Sequence, residues 1–120
     1  MACERLYRGK ACTLYAIVVR GKCPVQNFIN GLDKKRKKQV IALLELLADQ
    51  GPLYNAEKFR WIGDEIFELK TRSGARILGF FAGRRKIVLT HGFPKGKAKA
   101  FQREVKKAQR LRKQFANSMK

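Results

Sequence analysis

The sequence predicts an α+β fold in which a small antiparallel sheet carries helices on one of its faces. The hydrophobic period is near two in some runs and near 3.6 in others, and the runs follow the order strand, two helices, three strands, helix. Short glycine-containing turns join the three consecutive strands, which makes them an antiparallel meander. At 120 residues and 45% hydrophobic, the chain is long enough to bury one core and too short to divide comfortably into two. One domain over residues 1–120 is expected, with residues 1–12 as a possible flexible lead.

Residues 13–20 (TLYAIVVR) combine β-branched and aromatic types, and Gly21-Lys22-Cys23-Pro24 ends the run as a strand ends. Pro24 suits the first position of a short helix over 24–32, in which Val25, Phe28, Ile29 and Leu32 share one face. Asp33 caps a second helix over roughly 34–50, where Val40, Leu43, Leu44 and Leu47 recur at helical spacing before Gly51-Pro52 stops it. Residues 53–64 read as a connection without regular structure of length, with Phe59, Trp61 and Ile62 folded down on the core.

The period then changes to two. Residues 65–72 (EIFELKTR) alternate Phe67 and Leu69 with Glu68, Lys70 and Arg72, and Ser73-Gly74 turns the chain into a strand over 75–82. Gly83-Arg84 turns it again into a strand over 86–91. After a lysine-rich loop, Phe101, Val105, Ala108, Leu111 and Phe115 mark one apolar stripe of a last helix over 101–117. Its other faces are cationic.

Twenty-eight Lys and Arg stand against nine Asp and Glu, a net charge of +19. Such self-repulsion is tolerated for a reason, and a polyanionic partner is the obvious one. Phosphate backbones fit best, because each neutralised phosphate releases a counterion and adds affinity. Residues 92–120 hold ten Lys/Arg and one Glu, so this quarter carries +9 of the +19. A membrane partner is not expected: no apolar run approaches the ~20 residues that span a bilayer. Cys3, Cys12 and Cys23 are odd in number and outside any C-x-x-C spacing, so they read as free thiols of a reducing cytoplasm. Arg5, Arg8 and Lys10 before Ala11–Val19 have the order of a secretory signal, but that stretch is short, alternates like a strand and lacks a small-residue cleavage site.

Read together, GKCPVQNFINGLD, LLELLADQGPL, IFELKTRSGARILGFF and KIVLTHGFPKGKAKAFQREVKKA resemble the RelE/HigB-like toxins, in particular their phage-derived HigB-type branch. The resemblance runs from about residue 14 to residue 115. Its most specific part is the pair FELK…AR and LTHGFPKGKAK…REV, in which alternating strand residues, a terminal histidine, spaced lysines and a basic helix follow in order. It implies a RelE-like fold, ribosome-dependent cleavage of mRNA, and a cognate helix-turn-helix antitoxin as inhibitor. The segment before residue 13 has no counterpart, and Phe101 stands where the family often has proline.

Internal cleavage of RNA by its own 2′-hydroxyl needs an oriented backbone, charge set against the phosphorane, and two proton transfers. No cofactor is required. The candidates are Arg76, Lys95, Lys70 and His91 for catalysis, with Arg72, Lys97, Lys99, Arg103 and Phe93 as RNA-binding residues. Alternation places Glu68, Lys70 and Arg72 opposite Phe67 and Leu69, on a surface expected to stay open. Arg76 is the preferred phosphate clamp, because guanidinium offers a planar donor fork and the resemblance implies a functional arginine in this strand. A lysine just past a strand end, Lys95, can swing over a phosphate. Lys97 and Lys99 serve equally as a solvated loop with diffuse attraction for RNA. His91, the sole histidine, has the right ordinary pKa for proton transfer, but a strand-closing histidine is often structural. Phe93 can stack on a base or seat the loop on the core, and Glu68 is expected to pair with an arginine. Asp64, Glu65 and Glu68 do not make a metal site, since alternation separates them.

The leading reading is therefore a ribosome-dependent mRNA endonuclease whose partners are mRNA and ribosomal RNA on the ribosome. A non-catalytic RNA- or DNA-binding protein, or an inactive phage-derived relative, would share the charge without the site geometry.

Overall fold

The computed structural model describes residues 1–52 and 58–118. The elements are β1 (Ala2–Arg8), β2 (Thr13–Val18), α1 (Pro24–Asn30), α2 (Lys34–Gln50), β3 (Phe59–Gly63), β4 (Ile66–Lys70), β5 (Ala75–Phe81), β6 (Lys86–Pro94) and α3 (Ala98–Ser118). The α+β class and the strand–helix–helix–meander–helix order are those expected. Among the described residues, no helix is long and apolar enough to cross a membrane.

The sheet is larger than expected. Six strands form one mixed sheet in the order β1-β2-β6-β5-β4-β3. It is not purely antiparallel: β2 and β6 run parallel at its centre, from Thr13↔Lys86 to Ala16↔Leu89, because the long crossover through both helices and the meander returns the chain beside β2 in the same direction.

Residues 2–8 are not a loose lead but an edge strand, paired antiparallel with β2 from Ala2↔Val18 to Arg8↔Thr13. The turn after it is anchored to the end of α2, where the Ala11 and Cys12 N–H groups both donate to the Ala48 carbonyl at 2.9 and 2.8 Å. A Cβ on Gly9 would come within 2.4 Å of the Ala48 backbone, so only glycine lets the chain pass there.

At the other edge, the expected irregular connection contains β3, paired with β4 from Phe59↔Leu69 to Gly63↔Ile66; residues 53–57 of that connection lie outside the described residues. Phe59 is buried, but Trp61, expected in the core, is 53% exposed.

The layers also differ. Phe67, Leu69, Ile77 and Leu89 lie with Leu14 and Ala16 under α1 and α2, against Val25, Ile29, Val40, Leu44 and Leu47. The opposite face is not open: Ile66, Leu78, Phe80, Val88 and Phe93 pack with Ala108 and Leu111 of α3. The five-residue stripe of α3 needs a sheet face of its own, because α1 and α2 already fill the first. Each fully buried Leu or Ile in these layers contributes about 2 kcal/mol of transfer free energy.

Candidate active site

Strand register builds the site on the α3 side of the sheet. Lys70 pairs with Arg76, and Arg76 with Phe93. Two pairs further along, Arg60 faces Glu68, Glu68 faces Leu78, and Leu78 faces His91. The N-terminal turns of α3 lie over this grid with Phe101 and Glu104.

Glu68 is 1% exposed and takes two arginines, Arg60 Nε at 2.8 Å on Oε1 and Arg76 Nη1 at 3.2 Å on Oε2. The expected arginine partner is thus a pair of them. Both guanidinium carbons stand over the Phe101 ring, at 5.5 Å for Arg60 and 5.2 Å for Arg76, a distance at which the ring face attracts a cation. Two cations against one carboxylate leave one positive charge in excess. The Arg76 side chain is 13% exposed and its Nε is buried without a partner, so Glu68 and the ring hold it.

His91 lies one strand over, 2% exposed. The Thr90 hydroxyl donates to the Leu78 carbonyl at 3.2 Å and sits 3.0 Å from His91 Nδ1. With its hydrogen so used, the hydroxyl accepts from Nδ1–H, and the network assigns the bare lone pair to Nε2. Nε2 is 3.7 Å from Glu104 Oε1 and makes no hydrogen bond. Burial first, and the Lys107 charge second, push the ring pKa down from 6.5 to about 4. The Glu104 carboxylate acts in the other direction, but at 3.7 Å it does not offset the loss of solvent. The neutral ring stacks on Phe93 at 5.6 Å, and Phe93 meets Phe101 at 6.2 Å, a ladder that backs the two arginines.

Beside this ladder, between the loop after β6 and the first turns of α3, a cleft of about 500 Å³ is lined by Phe93, Lys95, Phe101, Arg103 and Glu104 among others. The Lys95 N–H donates to the Gly74 carbonyl at 2.8 Å, which ties this loop to the turn that precedes Arg76. Arg76, Lys95, Arg103, Phe93 and His91 therefore gather at one end of the sheet. Phe93 is buried as a core residue. Lys97 and Lys99 are exposed and do not line the cleft.

Lys70 and Arg72 are not gathered into it. They border a separate cleft of about 320 Å³ with Gln39, Leu43, Leu46 and Lys58, on the α2 side. The acidic residues are engaged elsewhere, Glu65 with Arg112 in a direct ion pair and Glu68 with its two arginines.

Arg60 is the residue that sequence reasoning missed. Its signal was present: FRWI followed by Gly63-Asp64 and then EIFELK has the form of two strands about a tight turn, and Asp64 and Glu65 take positive φ of 52° and 62° there, as both central residues of a two-residue hairpin do.

No curated protein matches the chain. The family described as "Phage derived protein Gp49-like (DUF891)" matches residues 27–113, which include Arg60, Glu68, Arg76, His91, Lys95 and Phe101.

Proposed function

The chain belongs to the phage-derived Gp49-like family, and on that premise we propose that it is the toxin of a toxin–antitoxin pair, a RelE/HigB-type endoribonuclease that cuts mRNA on the translating ribosome. The observation that carries this reading is the Glu68–Arg76–Phe101 arrangement at the edge of a cleft that also holds Lys95 and Arg103. A pre-positioned guanidinium beside mobile cations suits a phosphate whose charge grows during reaction.

In this reading Arg76, held by Glu68 through Nη1, turns its remaining terminal N–H donors to the scissile phosphate. Lys95 closes over the phosphorane, while Arg103, Lys97 and Lys99 draw the flanking backbone into the cleft. Attack by the ribose 2′-hydroxyl then expels the 5′-oxygen, leaving a 2′,3′-cyclic phosphate and a 5′-hydroxyl with no metal required. Lys95, at the cleft, is the group placed to pass a proton to the leaving 5′-oxygen, whereas Lys70 borders the separate α2-side cleft. His91, buried and neutral, holds the aromatic ladder and through it Phe101. The work is cytoplasmic, where the ribosome is, and a helix-turn-helix antitoxin restrains it.

The burial of His91 favours one rival, a non-catalytic RNA-binding protein, because the sole histidine is withdrawn from proton transfer. One experiment separates them. Purified chain is added to ribosomes programmed with a defined mRNA, and the product ends are identified. Cleavage with cyclic phosphate and 5′-hydroxyl ends supports the nuclease; salt-sensitive RNA binding with intact message supports the rival.

A further inference from the structure

The far end of α3 carries a second concave surface that the reading above does not use. It is a cleft of about 600 Å³ between the C-terminal turns of α3 and the sheet, floored by Tyr15, Phe80, Val88, Phe115 and Ala116. It begins, at Arg112, about 17 Å along the helix from Phe101 at 1.5 Å per residue. It exists because α3 packs with the β4, β5 and β6 residues of this face, while on β1 and β2 Cys3 is exposed and Tyr15 only half-buried.

The lining decides what fits. Its charged members are Lys86, Arg112 and Lys113; Arg112 is taken by Glu65, and Lys86 and Lys113 stand exposed at the rim. A ligand must therefore bring apolar side chains for the floor and carboxylates for the rim. A second copy of a +19 chain with only nine acidic residues brings repulsion instead. A phosphate backbone satisfies the rim but leaves the Phe115 and Ala116 floor unfilled. An amphipathic helix with an apolar stripe and an acidic flank meets both demands, in the manner of a helix laid into a groove.

We propose that this cleft is the docking groove for an acidic amphipathic helix of a second protein. That this protein is the inhibitor rests on the toxin reading; the groove itself does not.

The test uses the full chain and a fluorescent synthetic helix with leucines at i, i+3, i+4 and i+7 and glutamates on its other face. The control is a peptide of the same composition with the leucines scrambled. Binding is followed by anisotropy at physiological salt. The designed helix is expected to bind at least ten-fold more tightly than the control and to slow alkylation of the exposed Cys3. Filling the groove with Ala116→Trp, and separately reversing the rim with Lys86→Glu/Lys113→Glu, are each expected to weaken it at least ten-fold. All three changes are at exposed positions, and the two variants fail independently if one does not fold.

Equal affinity for both peptides, no effect of either variant, displacement by an RNA oligonucleotide, or a dimer that Ala116→Trp abolishes would each overturn the proposal. The programmed-ribosome assay on the same variants keeps the readings apart. No cleavage by any form removes the toxin reading whatever the peptide does, whereas cleavage by every form with no peptide discrimination removes only the groove.

Discussion

Glu68 Oε2 lies 3.2 Å from Arg76 Nη1 in a pair whose carboxylate is 1% and whose guanidinium side chain is 13% exposed. A charge so placed is tolerated only because its partner is there, and the partner is oriented only because the charge is there.

Breaking this pair from the acid side leaves Arg76 buried and uncompensated. Glu68→Ala is expected to lower unfolding free energy by about 3 kcal/mol, measured by urea denaturation. Replacing both partners, as Glu68→Leu/Arg76→Met, is expected to restore most of that stability while abolishing RNA cleavage. If the double variant is less stable than Glu68→Ala, the pair is not the unit described here.

Arg76 and Lys95 separate in their effects. Arg76→Ala is expected to slow mRNA cleavage on programmed ribosomes by about 100-fold or more, the scale of losing one charge-stabilising donor. Arg76→Lys should fall between, since it keeps the charge but not the fork. Lys95→Ala, at an exposed position, should slow cleavage by about 100-fold, the low end for a lost proton-transfer group, with an unchanged Tm.

His91 gives a signed pH dependence. Its folded pKa, about 4, lies below the ordinary 6.5, so the unfolded chain takes up the proton first as pH falls. The stability it permits is fully present above pH 6.5 and declines toward pH 4, by about 3 kcal/mol in total. His91→Phe should flatten that part of the stability profile relative to the parent, read as Tm against pH. In the same window the cleavage rate should show no step near 6.5, because a buried neutral ring is not the base.

Gly92 sets how closely α1 lies on β6. A Cβ there would meet the Phe28 ring at 2.3 Å. Gly92→Ala is expected to destabilise by about 2 kcal/mol, and Gly92→Ala/Phe28→Leu to recover part of it, both by urea denaturation.

Much of this fold was legible because period and punctuation are local. Asp33 caps α2 by accepting from the Arg36 N–H at 2.9 Å, and the helix runs over the residues its spacing marked. The stripe of α3 was legible too, but its destination was not. Glu68, Lys70 and Arg72 made the second sheet face look solvated, and only long-range pairing shows that two arginines neutralise Glu68. Arg60 and β1 were missed for a related reason, since edge strands bury little of their side chains and lack a strong apolar signal. Lys70 and Arg72 share a run with Glu68, yet they border the α2-side cleft, where the strand ends and alternation no longer fixes direction.

The most direct measurement expresses the chain from a tightly controlled promoter beside its Arg76→Ala form and maps mRNA 5′ ends with translation running or blocked. Growth arrest with new 5′-hydroxyl ends that need translation, and that vanish in Arg76→Ala, is the expected result. Unaffected growth and intact messages at confirmed expression would contradict it.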